Sequence, residues 1–126
     1  VKHPFAEHIA MTVAEQRSGY SRVTLQVAPH HLNPHGVVHG AVLFALADTG
    51  MGSALYPTLA AGESCATIEV KINYFKPVQH GTLSCETTIV HRGRSIANLE
   101  SRVWLDGQVV ASANGHYAIQ RPRTAA

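Results

Sequence analysis

Asp48 stands where a carboxylate is least expected. Ala41, Val42, Leu43, Phe44, Ala45, Leu46 and Ala47 precede it without interruption, and no Lys or Arg occurs between His39 and Tyr56 to pair with it. An unpaired carboxylate in apolar surroundings is costly, so it must find hydrogen-bond partners or serve a site. It lies too far along the segment to cap a helix start. Gly50 and Gly52 follow. Each weakens a helix interior by about 1 kcal/mol relative to Ala, which marks them as points of close approach by a backbone or a ligand. A carboxylate beside such points has the chemistry of a general base or a nucleophile. The alternative is a structural carboxylate held by nearby backbone N–H groups.

A second candidate lies at the start of the same segment, Val38-His39-Gly40-Ala41. The unpaired N–H groups of a helix N-terminus form an anion or oxyanion site, and Gly40 lets an oxygen approach its N–H closely. Gly40 and Asp48 are separated by about 12 Å at 1.5 Å per residue. A carboxylate acting on a carbonyl carbon, directly or through one water, lies within about 3–6 Å of it. One helix therefore cannot bring both groups to one carbonyl. Two antiparallel helices from two subunits can, which predicts at least a dimer with shared sites.

The elements that must position these groups are legible. The helix is predicted from about residue 39 to 56, stopped by Pro57. A short helical turn is expected over residues 4–11. Alternating runs predict strands over 20–27, 64–74, 82–91, 96–105 and 108–119. In the second of these, Ile68, Val70, Ile72 and Tyr74 alternate with Thr67, Glu69, Lys71 and Asn73. Asp106-Gly107 reads as a tight hairpin turn, and residues 121–126 as a frayed tail. Short turns between the late strands make the sheet mainly antiparallel. A helix apolar on every side is expected to be buried on every side. The simplest arrangement is an α+β hotdog fold, in which a curved antiparallel sheet of five to six strands wraps one long buried helix.

Bulk properties narrow the function classes. The chain has 126 residues, enough for one domain (1–126, core about 20–120), and only 14% are charged, against about 25% in an average globular domain. Surface hidden in an oligomer explains that shortage. A formal net charge of +2 with scattered cations carries no nucleic-acid footprint. No apolar run approaches the roughly 18 residues of a membrane span, and no signal-peptide pattern opens the sequence. Cys65 and Cys85 have neither metal nor redox spacing and are expected to be free thiols in a reducing cytoplasm. His31, His35 and His39 are spaced by four, but Pro34 and Gly36 break the helix that would align them, so no metal site is expected.

The stretch Asn33-Pro-His-Gly-Val-Val-His39-Gly40-Ala-Val-Leu-Phe-Ala-Leu-Ala-Asp48-Thr-Gly resembles the hotdog-fold acyl-CoA thioesterases of the phenylacetate-degradation (PaaI) type. The spacing from Asn to His-Gly, and from Gly to Asp, matches. So do the run Thr67-Ile-Glu-Val-Lys-Ile-Asn-Tyr-Phe-Lys-Pro77, then Gly81-Thr-Leu and His91-Arg-Gly-Arg94. The likeness covers about residues 20–120. It departs at Ala41, where the family usually has a second Gly, and Asp48 separates it from the hotdog branch that uses Glu there. The resemblance implies an acyl-CoA thioesterase, with an aryl-acyl-CoA such as phenylacetyl-CoA or a hydroxylated relative as substrate. Asp48 is then general base or nucleophile, and the Gly40 N–H of the facing subunit is the oxyanion donor. His39 supports that loop and helps polarise the carbonyl. Asn33 positions the water or thioester, and Thr67 helps hold the water. Met51, Leu55 and Tyr74 are expected near the acyl group, and Lys76, Arg92, Arg94 and Arg121 near the coenzyme A phosphates. Coenzyme A belongs to the substrate, and no further cofactor is expected. The family usually forms a dimer of dimers, which implies a homotetramer.

The chemistry agrees with the residues. A thioester is activated enough that one carboxylate and one or two hydrogen-bond donors suffice. An enoyl-thioester hydratase or dehydratase on the same fold is the first alternative, weakened by His39 standing in the thioesterase position. A non-catalytic acyl-CoA binding module is the second, and it has no use for Asp48.

Overall fold

The computed structural model describes residues 2–122. In chain order the elements are α1 (Pro4–Ile9), β1 (Met11–Arg17), β2 (Tyr20–Gln26), α2 (Gly40–Leu55), β3 (Ser64–Tyr74), β4 (Thr82–Arg92), β5 (Ile96–Leu105) and β6 (Gln108–Gln120), with single 3₁₀ turns at Pro29–His31 and Tyr56–Thr58. The six strands form one antiparallel sheet in the order β1-β2-β4-β5-β6-β3. The sheet curves around α2, and the architecture is the hotdog fold. Leu43 and Leu46 of α2 pack with Leu25, Leu83 and Val103 in one core cluster, and Met51 and Leu55 pack with Leu99 in a second. Among the described residues no helix is long and apolar enough to cross a membrane.

Local chemistry sets the boundaries. His39 is the N-cap of α2: its backbone is extended and its Nδ1 accepts the Ala41 N–H at 2.9 Å. Such a bond satisfies one of the N–H groups a helix start leaves unpaired. The helix gives way to a 3₁₀ turn containing Pro57, which has no N–H to continue the ladder. Asp106 and Gly107 both have positive φ, 49° and 78°, as a type I′ hairpin turn requires. Part of the expected tail lies outside the described residues.

Two expectations are corrected. β1 went unread because only Met11 along it is buried. It is an edge strand held by its backbone pairing to β2 rather than by an apolar face. Nor is α2 enclosed on every side. Ala41, Phe44, Asp48, Thr49, Gly52 and Ser53 form one stripe that lines a groove, with Phe44 at 37% exposure. Within a single chain the sheet covers the opposite face only.

The two helix glycines have different surroundings. Ser21, Thr87 and Ser101 are aligned across β2, β4 and β5, all buried. The Ser21 hydroxyl donates to the Gly50 carbonyl at 2.6 Å, and the Thr87 and Ser101 hydroxyls bond each other at 2.6 Å. A Cβ on Gly50 would lie 2.6 Å from Thr87 Oγ1, whereas one on Gly52 would meet open space. Gly50 therefore serves close helix–sheet packing. Helix propensity alone predicts that Gly50→Ala stabilises by about 1 kcal/mol. Overpacking predicts the reverse, a loss of about 1–3 kcal/mol. Urea unfolding of Gly50→Ala should show the lowered midpoint.

Candidate active site

Asp48 is half-buried on the groove-facing stripe of α2. In place of a cation it has two hydroxyls. Thr67 of β3 donates to Oδ1 at 2.8 Å, and the Tyr117 phenol of β6 contacts the same Oδ1 while lying 2.7 Å from the Asp48 main-chain carbonyl. Oδ2 has no protein partner among the described residues. Burial, and then the hydrogen bond to the Asp48 carboxylate, push the Tyr117 phenol well above its ordinary value, so it remains a protonated donor. The groove has a volume of about 960 Å³; Phe5, Val13, Phe44 and Tyr56 contribute its apolar walls, and Asp48, Thr67 and Tyr117 its polar end.

A bulge brings these hydroxyls together. In β3, Thr67 pairs with Tyr117 and Glu69 with His116, leaving Ile68 as the extra residue. An inserted residue reverses which face the following side chains take. Thr67 therefore shares the inner face with Val70 and Ile72, and Ile68 is 54% exposed. Strict alternation had grouped Thr67 with Glu69 and Lys71 and Ile68 with the core. Tyr117 was missed altogether. Its signal was present, because an inward phenol in the run Ala113-Asn-Gly-His-Tyr117 needs a polar partner.

The helix start forms a separate cluster. The Gly40 N–H has no partner among the described residues, and the Gly40 carbonyl accepts the Tyr74 hydroxyl at 2.9 Å. Since His39 Nδ1 is an acceptor, the neutral ring carries its proton on Nε2. Asn33 Oδ1 accepts the His35 and Val37 N–H groups at 2.9 and 3.3 Å, so Asn33 shapes the loop that delivers His39. Gly40 and Asp48 sit at the first and ninth positions of one unbroken helix. The structure thus brings Asp48 and Thr67 together at one point, and His39, Gly40 and Tyr74 at another, with Asn33 in the loop that precedes it.

The sequence model of the thioesterase superfamily matches residues 35–112. The chain belongs to the thioesterase superfamily. The phenylacetic acid degradation protein PaaI from Thermus thermophilus, solved as a point mutant, is 26% identical with a TM-score of 0.87, covering 95% of this chain and all of that one. A conserved protein from Pseudomonas aeruginosa is 30% identical with a TM-score of 0.88, covering 94% and 95%. A presumptive esterase from Archaeoglobus fulgidus is 34% identical over 86 residues, which is 68% of this chain and 54% of that protein. The chain thus spans about half the length of that curated relative.

Other expected residues of this superfamily chain fall elsewhere. Met51 and Leu55 are fully buried, and the Met51 sulfur would lie 2.5 Å from a Cβ on Gly115. They form the core beneath the helix and do not line the groove. Arg92 is engaged by Thr58, through its hydroxyl at 3.0 Å and its carbonyl at 3.2 Å, and lies 3.6 Å from Glu63. Arg121 pairs with Glu63 at 3.1 Å and also reaches the Arg94 carbonyl. These two guanidinium groups tie the turn before β3 to β4 and β6. Lys76 bonds Gln108 at 2.6 Å, beside the Gly40 cluster, and Arg94 is exposed.

The Ala60 N–H donates to Glu63. This bond, with Arg121 and Arg92 adding to it, holds the Glu63 carboxyl below the usual range. A lowered folded-state value stabilises the fold above the ordinary carboxylate pKa, and that gain fades as pH falls through the lowered value. The parent should therefore outlast Glu63→Gln in urea near pH 7, and the two midpoints should converge as pH falls through the lowered carboxyl value. A gap independent of pH would contradict this role.

Proposed function

We propose that the protein is an acyl-CoA thioesterase, that its substrate is an aryl-acyl-CoA of the phenylacetyl type, and that each site is built between two subunits. The observation that carries this reading is the Asp48 carboxylate at the polar end of an apolar groove, held through one oxygen with the other unpartnered. The name of the Thermus relative and the aromatic walls of the groove support the substrate class.

In the proposed reaction the thioester carbonyl lies between Asp48 of one subunit and the helix N-terminus of the other. Acting as base, Asp48 takes a proton from water as the water oxygen adds to the carbonyl carbon. The carbonyl electron pair moves onto oxygen, where the Gly40 N–H and the His39 Nε2–H stabilise it. Collapse reforms the carbonyl, breaks the C–S bond and expels the thiolate, which recovers the proton. As nucleophile, Asp48 would add to the carbonyl carbon, collapse would break the C–S bond and expel the thiolate, and water would open the resulting anhydride to release the acid and restore the carboxylate. The unpaired edge of β3 supports pairing with a second copy, and a dimer of dimers is the proposed assembly. The free thiols of Cys65 and Cys85 suit the reducing cytoplasm proposed as its location.

A panel of aryl-, medium-chain and long-chain acyl-CoAs with a thiol reagent tests the reading. Thiol release should be fastest on the aryl-acyl esters, and Asp48→Asn should lower kcat at least about 10²-fold. No thiol release from any ester, or full rate in Asp48→Asn, would sink it. Loss of an enoyl-CoA without thiol release would favour a hydratase, and tight ester binding without turnover a binding module.

A further inference from the structure

Resting on the thioesterase reading, we infer that Tyr117 is a positioning residue that, together with Thr67, fixes Asp48 Oδ1 and so makes Oδ2 the single reacting oxygen of the site.

A carboxylate on a helix surface can rotate about its Cβ–Cγ bond and exchange its two oxygens. Here the exchange is opposed from two strands. Thr67 and Tyr117 are directly paired across β3 and β6, and both hydroxyls meet the same oxygen. The phenol also lies 2.7 Å from the Asp48 main-chain carbonyl. It therefore bridges the side chain and backbone of one residue and holds the carboxylate in a single rotamer. Tyr117 is itself held, at 3% exposure, within the core cluster that includes Met51, Leu55 and Leu99. A buried ring is a firmer anchor than the exposed Thr67 side chain. Oδ2, left without a protein partner among the described residues, is the oxygen available to water or to the thioester carbon.

The division of labour has a chemical cost and a gain. Two donors on one oxygen occupy its lone pairs and withdraw that oxygen from the reaction. In return they set the direction of attack, and a misplacement of about 1 Å can cost about 10²-fold in rate. The donors must also stay protonated. The phenol is pushed well up by burial and by Asp48, and the Thr67 hydroxyl does not titrate. The other ionisable residues lining the groove, among the described residues, are Lys2, His3, Tyr56 and Cys65. Burial pushes the Cys65 thiol up, so it adds no charge at neutral pH.

Tyr117→Phe keeps the ring and removes only the donor. Its kcat should fall about 10- to 10²-fold, with KM changed less than about twofold. A purely structural tyrosine would lower the urea midpoint and leave kcat in place. Thr67→Val should lower kcat in the same way with KM little changed, and Thr67→Ser should restore the parent rate. The double variant should depart from additivity, since both donors serve one oxygen. Urea midpoints establish that each variant is folded. Parental kcat in folded Tyr117→Phe, with Asp48→Asn inactive in the same assay, would overturn the positioning role and leave the thioesterase reading intact. Absence of thiol release from the parent would remove that reading and the role with it.

Discussion

A carboxylate on an otherwise apolar helix must be satisfied, and the rest of this structure follows from how that is done. Among the described residues Asp48 forms no ion pair; it is met by two neutral hydroxyls delivered by β3 and β6. Neutral donors leave the charge available for chemistry, where a Lys or Arg would neutralise it. They must come from positions directly opposite each other, so the register of β3 on β6 and its bulge are part of the site. The helix must in turn sit at a fixed height above the sheet. Gly50 and the buried hydroxyls of Ser21, Thr87 and Ser101 set that height.

The same helix imposes the second constraint. Its N-cap and its carboxylate belong to one rigid element, about 12 Å apart. No side-chain rotation closes that distance. The groove-facing stripe from Ala41 to Ser53 and the open edge of β3 are left uncovered by the chain's own sheet. In the proposed assembly a second helix laid antiparallel along this stripe would cover apolar surface and bring the two groups to one carbonyl.

Much of this was legible in the sequence, for identifiable reasons. The helix, its limits and five strands followed from periodicity, Pro57 and Asp106-Gly107, because each is a local signal. Asp48 stood out because its neighbours are uniformly apolar. What failed was tertiary. β1 has no buried face to betray it. The β3 bulge reverses an alternation that reads perfectly well without it, so Thr67 was reached through family resemblance alone. Met51 and Leu55 share the helix with Asp48 but turn toward Gly115 and the core. The partnership of Arg92 and Arg121 with Glu63 joins residues far apart in the chain, which no spacing announces.

The central claim is that each site takes its carboxylate from one subunit and its oxyanion donor from the other. Gly40→Pro isolates the donor. Gly40 is the first helical residue, where Pro is tolerated and removes only the N–H. His39 before it is already extended, as a residue preceding Pro prefers. The ring would press on the half-exposed Tyr74, which has room to move. Asp48→Asn and Gly40→Pro chains, each inactive alone, should regain activity in verified mixed dimers, where one of the two sites is intact. Mixed dimers as inactive as either variant alone would contradict the shared site.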